Sequence, residues 1–123
     1  MKELRCILFT DREVLSSVLD RKRRLREALP DGQITGLRLD KGEDEVKCAI
    51  VFDNGRQTLS VPEHELQAAL LSHCIARNVP LPVDADKSIY LIRGRITLMI
   101  TMNFNKAARL VHVAAAEKRE MLN

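Results

Sequence analysis

The alternation of apolar and polar positions divides the chain into short strands separated by helix-period segments. Leu4, Cys6 and Leu8 alternate with Arg5, Ile7 and Phe9, apolar enough on both sides to predict a first strand that is at least partly internal. Thr10 with Glu13 three residues on has the spacing of a capping box, and Pro30-Asp31-Gly32 predicts that the helix it opens ends near Leu29. At about 100° per residue, Val14, Leu15, Val18, Leu19, Leu25 and Leu29 fall within an arc of about 140°, one core-facing side.

Residues 33–61 predict a three-stranded meander. Asn54-Gly55 is a type I′ hairpin pair, and as a two-residue loop it pairs Phe52 with Gln57, Ile50 with Leu59 and Cys48 with Val61. A four-residue turn at Lys41-Gly42-Glu43-Asp44 pairs Leu39 with Val46 and Leu37 with Cys48. One face then holds Leu37, Leu39, Val46, Cys48, Ile50, Phe52, Leu59 and Val61, while Lys47, Thr58 and Ser60 point away.

Pro62, Glu63 and Glu65 open a second helix that Asn78 and Pro80 end; Leu66, Leu70, Leu71, Cys74 and Ile75 spread over about 180° of it, wider than one sheet face needs. Residues 88–103 read as a hairpin turning at Arg93-Gly94, with Leu91 opposite Ile96 and Ile89 opposite Leu98. A last helix over Asn105–Met121 gathers Ala107, Leu110, Val111, Ala114, Ala115 and Met121 on one side. The pattern predicts a single α+β domain over residues 1–123, order βα-βββ-α-ββ-α, with the meander and hairpin of antiparallel sheet covered on one face by helices.

Its 123 residues suffice to bury roughly two-thirds of the unfolded surface without disulfides or metal. With 46% hydrophobic and 30% charged residues and no long uncharged apolar run, neither disorder nor a membrane span is expected. The apolar stretch before Thr10 is too short for a signal-peptide core, so a cytoplasmic location is expected. Cys6, Cys48 and Cys74 are odd in number and set among apolar neighbours, which predicts reduced core residues.

Charge is unevenly placed. Residues 1–30 carry 8 bases and 5 acids, residues 31–65 carry 4 and 8, and residues 66–123 carry 8 and 4. An acidic middle between basic flanks suits self-association or a charged partner, whereas a net charge of +3 is a weak nucleic-acid signal. The run Arg21, Lys22, Arg23, Arg24 and Arg26 is the candidate contact for an anion or partner. On a helix its bases surround the axis, Lys22 falls in the apolar arc where it must snorkel or find a partner, and the spacings Asp20 to Arg24 and Arg23 to Glu27 predict internal ion pairs.

Catalytic and metal chemistry finds little support. His64 and His73 are about 180° apart on one predicted helix, and His73 and Cys74 are neighbours that do not face each other. No phosphate-binding glycine loop or nucleophile elbow occurs, and no cofactor is implied. Helix, meander, helix from Thr10 to Asn78 resembles double-stranded RNA-binding domains in element order alone. Those domains hold phosphates with lysines at the start of the second helix, where this chain has Pro62-Glu63-His64-Glu65. One tyrosine and no tryptophan offer single strands no stacking platform.

The sequence therefore favours a non-enzymatic protein-protein association module that homodimerises, because apolar surface exceeds what one core needs: the wide second helix, the two-faced first strand, and Ile92 and Met99 beside Tyr90. The second reading is a nucleic-acid or ribonucleoprotein accessory using Arg21–Arg26. The third is a small-molecule-binding or enzymatic domain with its pocket under the 78–87 linker, around Asp84, Asp86 and Lys87.

Overall fold

In a computed structural model, which describes residues 1–103, strand β1 (Lys2–Phe9) passes through the single residue Thr10 into helix α1 (Asp11–Arg24). Thr10 Oγ1 accepts from the Glu13 N–H at 3.1 Å, and the Glu13 carboxylate accepts from the Thr10 N–H at 2.9 Å, so the capping box closes as its spacing predicts. The helix stops five residues before the predicted end at Leu29. Arg26 takes a left-handed φ of +55°. That lets the Arg26 N–H reach the Arg23 carbonyl at 3.1 Å and the Glu27 N–H reach the Lys22 carbonyl at 3.0 Å, a Schellman cap built on a residue other than glycine. Leu25, pushed past the last turn, is half exposed.

Strands β2 (Ile34–Lys41), β3 (Val46–Phe52) and β4 (Gln57–Val61) form an antiparallel sheet in that order, followed by helix α2 (Glu63–Ala76). The β3–β4 register is the predicted one, Cys48 with Val61, Ile50 with Leu59 and Phe52 with Gln57. The turn differs from the two-residue type I′ loop. Residues 53–56 form it, with Asp53, Asn54 and Gly55 all at positive φ. Asp53 also takes the Gln33 N–H on its carboxylate at 3.0 Å, anchoring the turn to the chain entering β2.

Between β2 and β3 the predicted register is off by two residues. Lys41 pairs with Val46, Leu39 with Cys48 and Leu37 with Ile50. The turn is Gly42–Glu45, closed by the Gly42 N–H on the Glu45 carbonyl at 2.8 Å, and a Cβ on Gly42 would stand 2.7 Å from that oxygen. Only glycine permits so tight a closure. A shift of two preserves sidedness, so the predicted apolar face survives the error.

Strands β5 (Asp86–Ile92) and β6 (Arg95–Asn103) make the second hairpin, with Leu91 opposite Ile96 and Ile89 opposite Leu98 as the pattern predicts. β1 adds antiparallel to the other side of β6, giving a second sheet of order β1-β6-β5. The first strand is therefore an edge strand with β6 as its one neighbour among the described residues, not an internal one. The inner faces of both sheets and the buried sides of α1 and α2 share one core, in which Ile50, Leu66, Leu70, Ile96, Leu98 and Ile100 are fully enclosed. The helix predicted over Asn105–Met121 lies outside the described residues.

Gly55 sits at φ +103° with no atom within 4 Å of a Cβ built on it, so a side chain there is opposed by backbone conformation alone. Gly55→Val is expected to lower stability by about 1 kcal/mol or more, read as a reduced denaturant midpoint with an unchanged slope.

Candidate functional site

The basic run does not act as one surface. Lys22 is buried, its ammonium 2.9 Å from Glu27 and 3.3 Å from Glu65 of α2. The hydrogen bond to Glu27 holds Lys22 protonated above the usual lysine range, against the opposing effect of burial, and holds the Glu27 carboxyl below its own. This is the partner that a lysine in the apolar arc requires. Arg23 pairs with Asp20 at 3.2 Å, an i,i+3 contact on the exposed side, in place of the predicted Asp20–Arg24 and Arg23–Glu27 pairs. The Arg23–Glu27 pair assumes that the helix continues past Glu27, whereas the Schellman cap turns Glu27 back to Lys22; Asp20 and Arg24 both lie within α1, and there the Asp20 carboxylate pairs with Arg23 instead. Arg21 is partly buried, and Arg26 lies beyond the helix.

Lys22 near the end of α1 meets Glu65 near the start of α2, so the helices run antiparallel, and a groove of about 690 Å³ opens between them. Ala69, Ser72 and Ala76 line it together with Arg23, Arg24 and Arg77. His73, also on the groove, is 6% exposed and stacks edge-on against Phe9 at a centroid distance of 6.3 Å. Its Nδ1 lies 3.4 Å from Arg77 Nη1, and its Nε2 has no hydrogen-bond partner among the described residues. Burial and then Arg77 push the imidazole below its usual range, which favours the neutral ring. A neutral ring accepting at Nδ1 carries its proton on Nε2. His64 is exposed, and the described residues include no group of three His, Cys, Asp or Glu placed to hold a metal ion.

The loop candidates Asp84, Asp86 and Lys87 lie at the end of the linker and the start of β5. Lys87 points its ammonium at the carbonyls of Pro82 (2.9 Å) and Ala85 (3.1 Å), tying the linker to the start of β5. Asp86 opens β5 opposite Thr101, and Asp84 precedes it in the turn. Val79, Leu81 and Ala85 pack beneath the linker against the core, and Arg5 Nη1 donates to the Pro80 carbonyl at 3.2 Å.

Exposed apolar side chains gather on the outer face of β1-β6-β5. Register places Leu4, Cys6 and Leu8 of β1 beside Thr101, Met99 and Thr97 of β6, and these beside Asp86, Ser88 and Tyr90 of β5. Leu4 is 61% exposed, Leu8 54% and Tyr90 48%. Thr97, between Leu8 and Tyr90 in register, is buried. Cys6 belongs to this face and is exposed, a correction to its prediction as a core thiol, whereas Cys48 and Cys74 are buried. The reason is parity: even positions of β1 face away from the helices, odd positions toward them.

Comparisons with protein-family models, with curated proteins and with solved structures find no match to this chain. Among the described residues no helix is long and apolar enough to cross a membrane.

Burial pushes the Cys48 thiol up to about 11 and raises that of Cys74 as well, which withholds both from reaction. In the native protein a thiol reagent is expected to modify one cysteine quickly, Cys6, and the other two only on unfolding. Mass spectrometry of the labelled peptides reads this, and rapid native labelling of Cys74 would contradict it.

Proposed function

We propose that the protein is a non-enzymatic association module of the cytoplasm whose partner is a second copy of itself. The observation that carries this reading is the outer face of β1-β6-β5, where Leu4, Leu8, Tyr90 and Ile92 are exposed around Met99. Apolar side chains gathered on one sheet face favour burial against another protein surface, each contact gaining on the order of 25 cal/mol per Å² removed from water. The three unpaired cysteines suit a reducing compartment.

A second reading has a narrower basis in the groove that Arg23, Arg24 and Arg77 help to line. It would serve an anionic partner, nucleic acid included. Two members of the basic run favour it less, since Lys22 is committed to Glu27 and Glu65, and Arg23 to Asp20.

Salt separates the two. Apolar burial is strengthened by excluded salts, while phosphate contacts weaken steeply as counterions compete. Light scattering is expected to give a dimer mass at both low and high salt, with no more than weak binding in a titration with mixed RNA and DNA. A strict monomer that binds RNA at about micromolar affinity in physiological salt would overturn the reading in favour of the second.

A further inference from the structure

We propose that two copies of the chain pair antiparallel through the β1 edge that no strand covers among the described residues, with Cys6 opposite Cys6 of the second copy, joining the two β1-β6-β5 sheets into one. This rests on the reading that the protein self-associates, and it specifies the surface and the alignment.

The direction of the β1 main-chain groups follows from the far side of the sheet. Arg93 and Gly94 have φ of +51° and +77°, a two-residue type I′ turn, whose closing bond runs from the Arg95 N–H to the Ile92 carbonyl. Arg95 therefore aims its N–H and C=O at β5, as do Thr97, Met99 and Thr101 by alternation, while Ile96, Leu98 and Ile100 aim theirs at β1. Their β1 partners are Phe9, Ile7 and Arg5. Neither pairing contains a bulge, so the parity holds along β1, and Leu4, Cys6 and Leu8 turn their main-chain donors and acceptors to the edge away from β6. The same three residues carry the exposed side chains of the outer face.

Such an edge is an association template unless it is short, covered, interrupted by proline or charged. β1 has 8 residues and no proline, and of its three charges Glu3 and Arg5 lie on the inner face and Lys2 stands at the strand's first position. Of the other sheet's two edges, β4 has 5 residues and bears Gln57, Thr58 and Ser60, and β2 is irregular between Ile34 and Gly36 and carries Arg38, Asp40 and Lys41. The edge of β5 is approached by the acidic β2–β3 turn, with a cavity of about 420 Å³ between them. β1 is the edge suited to a partner strand.

Self-pairing permits few alignments. Keeping outward main-chain groups opposite one another requires even residues to face even residues. Centring the two-fold axis on Arg5 sets two guanidinium groups in the closer, non-hydrogen-bonded pair, where like charges repel. Centring it on Leu4 joins only Lys2–Cys6 and leaves Leu8 beyond the start of β1, and centring it on Ile7 joins only Arg5–Phe9 and leaves Leu4 beyond the end of β1. Centring it on Cys6 pairs Leu4 with Leu8 of the second copy and Leu8 with its Leu4, sets Arg5 against Ile7, and joins the strands from Glu3 to Phe9. One contact then repeats twice about a closed symmetry axis, with the two exposed leucines of each strand covering their counterparts.

The test treats the wild-type protein with a short bis-maleimide at a concentration where light scattering reads a dimer. Cys6 of the two copies, about 5.5 Å apart at Cα in a hydrogen-bonded pair, is expected to cross-link in high yield. Cys6→Ser should abolish the product, and a cysteine placed on α2 by Ile75→Cys in that background should not restore it. Leu4→Pro deletes an outward N–H without removing a bond to β6, and Leu8→Lys puts a cation opposite Leu4 of the second copy. Each is expected to weaken dimerisation at least about tenfold, with circular dichroism unchanged. If either variant misfolds, the wild-type cross-link decides. A stable dimer that neither cross-links at Cys6 nor responds to either edge variant would overturn the β1 pairing while leaving self-association intact. A monomer at every concentration would overturn both.

Discussion

Strand β6 is the interaction on which the rest of the molecule depends. Its inward residues Ile96, Leu98 and Ile100 are fully enclosed, each contributing about 1.5–3 kcal/mol by burial. The strand is hydrogen-bonded on both sides, to β1 from the start of the chain and to β5 from late in it. That pairing closes a long loop, whose entropic cost rises only slowly with length, and so holds α1, the meander and α2 within one set of contacts. Occupying the centre of its sheet, β6 also leaves β1 at an edge and the reverse face of β1-β6-β5 outside the core.

Charge then settles what apolar packing leaves open. Lys22 would oppose the burial of the α1 face if it stood alone; with Glu27 and Glu65 it ties the C-terminal end of α1 to the N-terminal end of α2. Glu63 performs a related task, accepting the Val46 N–H at 2.8 Å where β3 leaves the tight turn. The acidic middle of the chain is thus partly spent inside the fold, on Lys22 and on the head of β3. The basic run is correspondingly reduced to the arginines that line the groove.

Much of this was legible before the structure. Alternation identifies the strands because each buries one face, and the β3–β4 and β5–β6 registers follow from where turn residues interrupt it. The errors lie where a few atoms decide. Gly42 closes against the Glu45 carbonyl and shifts β2 by two residues. Arg26 adopts the left-handed conformation usually left to glycine and ends α1 early. Strand order is the deeper gap: β1 is apolar on both faces, which reads equally as an internal strand or as an edge with a second surface to cover. The exposed Cys6 follows from that ambiguity, whereas the groove between α1 and α2 needs the antiparallel packing that no single helix pattern contains.

Amide hydrogen exchange along β1, followed residue by residue as protein concentration is raised, tests the central claim most directly, because β6 protects only alternate positions of that strand. The account predicts that the Arg5, Ile7 and Phe9 amides exchange slowly at every concentration, and that those of Leu4, Cys6 and Leu8 exchange quickly in dilute protein and become slow as the dimer forms. Fast exchange at Leu4, Cys6 and Leu8 in a fully dimeric sample would contradict it.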